Sequence, residues 1–371
     1  MKVGIPSEVK NNEFRVAITP AGVHELVRHG HEVYVQQGAG LGSSITDAEY
    51  VAAGGAILPT ADEVWAIADL LLKVKEPIEE EYHRLRKDQT LFTYLHLAAS
   101  RPCTDALIAS GTTAIAYETV ETADRRLPLL APMSEVAGRL APQVGAYHLM
   151  RAAGGRGVLP GGVPGVAAGK AVVIGGGVSG WNATQIAVGM GFHVTLLDRD
   201  INKLKEADKV FGTKVQTVVS NSFELERACL EVDLVIGAVL IPGAKAPKLV
   251  TNELVSRMKP GSVLVDIAID QGGCFEDSHP TTHAEPTFQV HNSVFYCVAN
   301  MPGAVPNTST HALTNATLPY ILELADRGWA EALRRDAALA KGLNTHDGKV
   351  VYREVAEAHG LEHTELSALL G

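Results

Sequence analysis

Short apolar runs alternate with amphipathic stretches along the first 120 residues of the chain. Five of the runs have the aliphatic and β-branched content that is typical of strands, and they read KVGIP, EVYVQ, LLLKVK, TLFTYL and TAIAYETV. Helix-start signals stand between them, namely Thr19 before Pro20, Asp47 before AEYVAA and Asp62 before EVWAIA. The alternation predicts βαβ units, in which crossover helices join parallel strands.

A glycine-rich stretch separates this series from a second one. Residues 154–169 contain seven glycines and two prolines, a composition that excludes regular structure. Six further apolar runs follow, which is the number of strands in a complete doubly wound sheet: AVVIG, HVTLLD, KVQTVV, DLVIGAV, SVLVDIAI and VFYCVA. From about Thr308 the pattern is helical, with an interruption predicted at Pro319.

The two series predict an α/β fold with two doubly wound parallel-sheet domains and a cleft between them. A Rossmann domain is predicted over 131–306, and a flavodoxin-like or Rossmann-like domain over 1–130 together with 307–371. The tail is placed on the first domain because the six-stranded sheet is complete without it. A length of 371 residues also exceeds the roughly 100–200 residues expected of one domain.

Composition narrows the classes of function. The chain has 32 Lys and Arg against 42 Asp and Glu, and its net charge of -10 would repel nucleic-acid phosphates and anionic lipid. No run approaches the roughly 18 apolar residues of a membrane span, and the amino terminus lacks the apolar core of a signal peptide. The four cysteines are widely spaced, so we expect buried thiols in a reducing cytoplasm and neither nucleic acid nor a membrane as partner.

The first run of the second series leads into a glycine turn. Gly175-x-Gly177-x-x-Gly180 follows AVVI and opens a predicted helix, whose amino terminus favours negative charge. In this context the glycines permit a tight turn, close approach of a pyrophosphate, and packing of the helix on the strand. Asp198 ends the next run, where an acid can accept hydrogen bonds from ribose hydroxyls. The turn therefore predicts a binding site for NAD; the alternative is a turn that only joins a strand to a helix.

Arg199 bears on the choice between NAD and NADP. An arginine beside the ribose can pair with a 2′-phosphate, whereas Asp198 would repel that phosphate. We predict NAD, and the extent of NADP use stays open.

Basic residues follow three predicted strands of the first series, where open α/β sheets bind their ligands. Arg15 follows the first strand and a short turn, Lys73 and Lys75 close LLLKVK on one face of the strand, and His96 closes TLFTYLH. An arginine and a lysine can clamp a carboxylate, and a histidine exchanges protons near neutral pH. The pattern favours an amino-acid or keto-acid site. The alternatives are a solvated arginine, solvated strand-end lysines and a structural histidine.

Two further groups of residues have open interpretations. Asp270 follows the fifth run of the second series, where it could take part in acid-base chemistry or could cap the turn beside Gly272 and Gly273. His279 and His283 suggest a metal pair, but the PTT segment between them disfavours a helix. We predict no metal site there.

Several long stretches of the chain resemble the L-alanine dehydrogenase family, and the resemblance extends over essentially the whole length. The stretches are KNNEFRVAITPAGV, LLLKVKEP, LFTYLHLAAS, APMSEVAGR, GGRGVLPGGVPGV, GAVLIPGAKAPKLV, VDIAIDQGGCFE and ALTNATLPY. The resemblance implies reversible NAD-dependent oxidative deamination of L-alanine to pyruvate and ammonium, by a homohexamer. The alternatives are the NAD-binding subunit of proton-translocating transhydrogenase, which is similar to the same family, and a catalytically silent NAD sensor.

The same resemblance implies roles for individual residues. Arg15 and Lys75 would bind substrate, His96 and Asp270 would form the catalytic pair, and Lys73 would have no role. Beside Gly175, Gly177 and Gly180, the implied cofactor contacts are Ser134, Val178, Ser179, Asp198, Lys203, Ser220, Val239, Leu240, Ile267, Ala268, Ile269, Asp270, Val298, Ala299, Asn300 and Met301.

The chain departs from the family pattern at two positions. His279 stands where some members carry an arginine, which could weaken a cofactor contact. Glu323 is followed by Arg327, where some members have a histidine that completes a magnesium site. Since a cation would oppose a metal ion there, we again predict none.

Overall fold

The computed structural model describes residues 1–239 and 246–370, which form two compact units. Unit 1 combines Met1–Met133 with the segment that begins at Val305, and unit 2 is Ser134–Ala304. Each unit is an α/β body built on one mostly parallel sheet, so the predicted fold class is confirmed. The carboxyl-terminal segment belongs to unit 1.

The sheet of unit 1 has eight strands in the order β15-β14-β6-β5-β4-β1-β2-β3, with strands numbered along the chain. The strands are β1 (Lys2–Ile5), β2 (Glu32–Gln36), β3 (Ala56–Leu58), β4 (Leu70–Leu72), β5 (Thr90–Thr93), β6 (Thr113–Ala116), β14 (Leu343–His346) and β15 (Lys349–Val350). Strands β1 to β6 pair in parallel, whereas β14 is antiparallel to both of its neighbours.

The helices of unit 1 are α1 (Pro20–Arg28), α2 (Asp47–Ala52), α3 (Ala61–Ile67), α4 (Arg101–Ser110), α10 (Pro306–Arg327), α11 (Trp329–Arg335), α12 (Ala337–Ala340), α13 (Arg353–His359) and α14 (Ser367–Leu370). Helix α5 (Ala131–His148) begins in unit 1 and continues into unit 2. Short 3-10 helices lie at Leu41–Ser43, Glu79–Arg84, Leu97–Ala99 and Tyr117–Thr119.

The sheet of unit 2 has seven strands in the order β12-β13-β11-β10-β7-β8-β9. They are β7 (Lys170–Ile174), β8 (His193–Asp198), β9 (Val215–Val219), β10 (Leu234–Gly237), β11 (Val263–Asp266), β12 (Thr287–Val290) and β13 (Ser293–Tyr296). All pairs are parallel except β12 with β13. The helices are α6 (Val178–Gly189), α7 (Ile201–Phe211), α8 (Ser222–Glu231) and α9 (Asn252–Arg257), and 3-10 turns lie at Arg151–Ala153, Gly212–Lys214, Ile267–Gln271 and Met301–Ala304.

Four strands of the described chain were not predicted from the sequence, namely β3, β12, β14 and β15. They have two to four residues and are largely polar or half-exposed, so they lack the apolar run on which the prediction depended. Pairing with a neighbouring strand stabilises them, as between Leu343 of β14 and Ile115 of β6.

Two predicted helix signals were placed wrongly. The caps of α2 and α3 are Thr46 and Thr60 rather than Asp47 and Asp62, because each threonine hydroxyl accepts the N–H of a glutamate three residues later in a capping box.

The predicted interruption at Pro319 is absent, since α10 continues through it. An internal proline costs about 3 kcal/mol. Burial of apolar side chains of α10, including Leu313, Ile321 and Leu324, contributes roughly 1.5–3 kcal/mol each and outweighs that cost.

The structure shows the state of the cysteines and the length of the apolar helices. All four cysteines are buried and free of disulfides. Within 1–239 and 246–370 there is no helix with the length and apolar content required to cross a membrane.

The carboxyl ends of the parallel strands carry the segments of functional interest in both units. In unit 1, the chain leaves β4 toward Lys75 and leaves β5 toward His96. In unit 2, β7 leads into the glycine turn, β8 ends at Asp198, and β11 leads into the turn that contains Asp270. Because parallel strands share one carboxyl edge, each sheet presents its candidate residues along one edge.

Candidate active site

The glycine turn after β7 has a distinct requirement at each of its three positions. Gly175 has φ of +100°, and a Cβ there would lie 2.8 Å from the Ala238 carbonyl oxygen. A Cβ on Gly180 would lie 1.7 Å from the Gly175 carbonyl oxygen, so α6 can pack here only through a glycine. By contrast, a Cβ on Gly177 would meet no atom within 4 Å. The space beside Gly177 is therefore open, as the approach of a phosphate group requires.

Asp198 is bonded to this turn. Its Oδ2 accepts the Gly176 N–H at 2.6 Å, and its Oδ1 accepts the Asp200 N–H at 2.8 Å. Lys203 Nζ lies 3.5 Å from Oδ2, and Arg199 beside it is exposed. The carboxylate is thus oriented before any ligand arrives, and its charge lies next to the turn.

Other predicted cofactor residues lie around the same edge. Val178 and Ser179 begin α6, and the Val239 side chain packs beside Gly175. The Ser220 N–H donates to the Asp198 carbonyl oxygen at 2.9 Å. Ser134 lies on α5, a helix that meets the start of α6 at Gly138. Leu240 lies outside the described residues.

A buried carboxylate shapes the segment that follows β11. Asp266 accepts four hydrogen bonds, from the N–H groups of Ala268 (3.1 Å), Cys274 (2.8 Å) and Phe275 (3.2 Å) and from the hydroxyl of Ser278 (2.5 Å). Burial raises the pKa of Asp266, although the four donors oppose the rise. These bonds close the loop that contains Asp270, which is exposed, whereas Ala268 and Ile269 are buried and Ile267 is half-buried. Sequence reasoning missed Asp266, whose only signal is its position at the end of the run VLVD.

The segment after β13 contains the last predicted cofactor residues. Val298 and Met301 are buried, and Ala299 and Asn300 are half-buried. The Asn300 carbonyl oxygen accepts a hydrogen bond from His283 Nε2 at 2.8 Å.

The two histidines of the suggested metal pair have separate partners. His283 bonds to Asn300, whereas the ring of His279 stacks on Phe288 with 3.7 Å between centroids. At the second departure from the family pattern, Arg327 Nε donates to Glu323 Oε2 at 2.7 Å. No set of three metal-ligating side chains converges anywhere in the described part of the chain.

In unit 1, Arg15 is buried against an acid. Its Nε donates to Glu13 Oε1 at 2.7 Å and its Nη2 to Glu13 Oε2 at 2.5 Å, while Nη1 contacts Met133 Sδ at 2.9 Å. Burial lowers the pKa of Arg15, but the hydrogen bond and charge of Glu13 outweigh burial and raise it. The alternative of a solvated loop arginine is wrong, because Arg15 is only 3% exposed.

His96 is oriented by two neighbours. Its backbone is left-handed with φ of +48°, a conformation in which histidine is enriched over most residues. Its N–H donates to Glu118 Oε1 at 2.6 Å, and its Nδ1 lies 3.8 Å from the same oxygen. The ring is parallel to that of Tyr94, with 6.0 Å between centroids. The side chain is 44% exposed and so accessible to a ligand. Sequence reasoning missed Glu118, an acid just beyond β6.

Lys73 and Lys75 differ in environment, contrary to the prediction that they share one face of a strand. Strand β4 ends at Leu72, so the alternation of a strand does not extend to them. Lys73 is completely buried, with Nζ 3.2 Å from Glu8 and 2.9 Å from Glu81, which rules out the solvated alternative for it. Lys75 is half-buried, and no acid of the described residues forms an ion pair with its ammonium group.

Comparisons with known proteins agree over the whole chain. Residues 4–137 match the alanine dehydrogenase/PNT N-terminal domain, and residues 141–353 match the C-terminal domain of the same family. Curated alanine dehydrogenases of Mycolicibacterium smegmatis and Mycobacterium tuberculosis are 68% and 67% identical over 370 residues, with 100% of both chains covered in each comparison.

Solved structures give the same result. An L-alanine dehydrogenase structure is similar with a TM-score of 0.95 at 51% identity, covering 97% of this chain and 99% of that one. A transhydrogenase structure from Sinorhizobium meliloti is similar with a TM-score of 0.83 at 27% identity, covering 95% of this chain and 100% of that one. The family match thus implies a nicotinamide cofactor, which is consistent with the glycine turn.

The close approach at Gly180 leads to a testable prediction. We expect Gly180→Ala to weaken NADH binding by at least about tenfold, or 1.4 kcal/mol, because its Cβ cannot fit against Gly175 without moving the turn. Fluorescence titration with NADH measures the change.

Gly189→Ala is the matched control, since it lies at the end of the same helix and its Cβ would meet no atom within 4 Å. We expect it to bind NADH normally and to be more stable by roughly 0.5–1 kcal/mol. Equal binding by the two variants would contradict the importance of the contact at Gly180.

Proposed function

The chain belongs to the alanine dehydrogenase/PNT family, and we propose that it catalyses the reversible NAD-dependent oxidative deamination of L-alanine to pyruvate and ammonium. The observation that carries this proposal is full-length identity of 54–68% to curated alanine dehydrogenases. The identity to the transhydrogenase structure is 27%, and this favours the dehydrogenase. Arg15, Lys75, His96 and Asp270 also supply all the groups that the reaction requires, so a silent NAD sensor has less support.

The residues of the glycine turn would hold the pyrophosphate of NAD, and Asp198 would accept hydrogen bonds from the adenosine ribose. The other contacts proposed are Ser134, Val178, Ser179, Lys203, Ser220, Val239, Leu240, Ile267, Ala268, Ile269, Asp270, Val298, Ala299, Asn300 and Met301. When bound, the cofactor supplies the hydride acceptor for oxidation and the hydride donor for the reverse amination.

Arg15 and Lys75 would bind the substrate carboxylate. A planar guanidinium fixes the plane of a carboxylate, and an ammonium group adds a point charge. Because Glu13 anchors the guanidinium of Arg15, little side-chain freedom is lost when substrate binds. These two cations would thereby orient the substrate Cα for hydride transfer.

His96 would act as the general acid-base group, assisted by Asp270. As alanine is oxidised, its ammonium group gives up a proton to His96 and a hydride leaves Cα, which forms an iminium ion. Water adds to that carbon and loses a proton, assisted by Asp270. The nitrogen of the carbinolamine is then protonated, its hydroxyl gives up a proton, and the C–N bond breaks to release ammonia and leave pyruvate. Histidine is the side chain that enzymes most often use for such proton transfers.

A single assay tests the activity and the role of His96. With pyruvate, ammonium and NADH together, we expect NADH absorbance to fall, and to stay constant when either co-substrate is omitted. His96→Ala should lower kcat by about 10²- to 10⁴-fold, because the proton carrier is lost. NADH binding should be unchanged.

His24→Ala is the control, since His24 is an exposed residue of α1 outside the proposed site. Undiminished turnover of His96→Ala would refute the acid-base assignment. If the wild-type protein binds NADH but consumes none under any of these conditions, the proposed dehydrogenase activity is refuted.

The preference for NAD is a separate prediction. Asp198→Asn keeps an oxygen for the Gly176 N–H but removes the charge that would repel a 2′-phosphate. We expect the ratio of kcat/KM for NADP to that for NAD to rise about tenfold or more. Arg199→Ala should lower the same ratio. An unchanged ratio in this variant would show that Arg199 has no role in the choice between NAD and NADP.

We include a homohexamer and a cytoplasmic location in the proposal. The glycine-rich segment exposes Leu159, Val163 and Val166, and such apolar groups favour association. Sedimentation should give six times the 39.3 kDa of one chain, and a monomer mass at micromolar concentration would contradict the hexamer. The four free thiols support a reducing compartment, and recovery in the cytoplasmic fraction of the producing cells would test it.

A further inference from the structure

Lys73 is a completely buried cation to which the proposed mechanism assigns no role. Its Nζ lies 3.2 Å from Glu8 Oε2 and 2.9 Å from Glu81 Oε1, and both acids are also buried. Removing such charges from water costs several kcal/mol per ion, and well-packed apolar residues at these positions would often be as stable. A contribution to stability alone therefore does not explain well why Lys73, Glu8 and Glu81 are buried together.

Glu8 connects Lys73 to the backbone of the substrate-binding segment. The Val74 N–H donates to Glu8 Oε1 at 2.6 Å, and the Lys75 N–H donates to Glu8 Oε2 at 3.3 Å. The opposite edge of the segment is held by the chain after β5, where the Tyr94 N–H donates to the Val74 carbonyl oxygen at 3.2 Å. One buried carboxylate thus holds the backbone N–H groups of both Val74 and Lys75, the residue whose side chain is proposed to bind substrate.

The charge of Lys73 favours the ionised form of that carboxylate. Burial raises the pKa of Glu8 above its usual value, and the charge of Lys73 and the hydrogen bond from the Val74 N–H oppose part of that rise. The groups that face Glu8 from its own loop and from the elements packed against it are Glu13, Arg15, Lys73, Lys75, Glu81 and Tyr117. Without Lys73, Glu8 would take up a proton more readily, and a protonated carboxyl has one oxygen fewer to accept a backbone N–H.

We propose that Lys73 is a positioning residue, which acts through Glu8 to set the backbone of Val74 and Lys75 and so places the Lys75 ammonium for the substrate carboxylate. Lys73 itself does not touch the substrate. The inference rests on the proposed role of Lys75 as a substrate ligand.

Lys73→Met provides the primary test, because it removes the charge and keeps much of the side-chain volume. We expect KM for pyruvate to rise about tenfold, which corresponds to 1.4 kcal/mol of lost binding. Turnover at saturating pyruvate should fall by less than about threefold. NADH affinity should be unchanged, since the residues proposed to hold NADH all belong to unit 2, whereas Lys73 belongs to unit 1. Lys87→Met is the control, an exposed lysine of the same unit, and it should leave KM unchanged.

The double variant Lys73→Met with Glu8→Gln separates positioning from folding. It leaves Glu81 as the remaining acid of the cluster, so melting temperature should recover relative to Lys73→Met alone. The neutral amide oxygen at position 8 is a weaker acceptor for the two N–H groups. We therefore expect KM to stay raised even as stability recovers. Recovery of KM together with stability would show that Lys73 serves folding alone, and would overturn the proposal.

A pH profile gives an independent readout. The KM of Lys73→Met for pyruvate, divided by the KM of the wild type at the same pH, should fall as pH rises. The reason is that Glu8 ionises at higher pH and again accepts both backbone N–H groups. The ratio should be independent of pH in the double variant. A flat ratio in the single variant would also overturn the proposal.

Lys75→Met distinguishes failure of this inference from failure of the proposed function. A normal KM for pyruvate in Lys75→Met would refute the role of Lys75 itself. A raised KM in Lys75→Met with a normal KM in Lys73→Met would refute only the positioning role of Lys73.

Discussion

Carboxylates that accept backbone N–H groups hold the functional segments of both units. Where a parallel strand ends, its N–H groups lose their ladder partners, and a buried N–H without an acceptor costs about 1–3 kcal/mol. Glu8 supplies acceptors after β4, Glu118 after β5, Asp198 beside the turn after β7, and Asp266 after β11. Each acid is bonded next to a residue proposed to bind or react. The same interaction therefore satisfies the backbone and fixes the functional geometry.

This arrangement would also allow a chain with a net charge of -10 to bind the anions proposed for it. The acids near the proposed site are engaged: Glu13 with the Arg15 guanidinium, and Glu8 with Lys73 and two backbone groups. Within the described residues, the ammonium group of Lys75 has no such acidic partner. The charge of Lys75 is thus not cancelled by an ion pair with a described acid, while Glu8 and Glu13 orient the groups that they bind.

The fold by itself does not decide the reaction. Alanine dehydrogenase and transhydrogenase structures share this architecture, with TM-scores of 0.95 and 0.83 to the chain. The distinction depends on identity, which is 51% in one comparison and 27% in the other, and on side chains at strand ends. The two sheets supply the positions, and we propose that residues such as His96 and Asp270 supply the chemistry.

The sequence by itself determined the features that depend on neighbours along the chain. Apolar runs predicted the parallel strands, and the spacing of Gly175, Gly177 and Gly180 predicted the cofactor turn, because a turn and its adjoining helix are local. Tertiary structure decided the rest. The short strands form only against a partner, and the difference between Lys73 and Lys75 depends on Glu8, some 65 residues away. Glu118 likewise meets His96 from 22 residues further along the chain. Periodicity cannot reveal such contacts, since the energy of a buried charge depends on which distant groups the fold brings beside it.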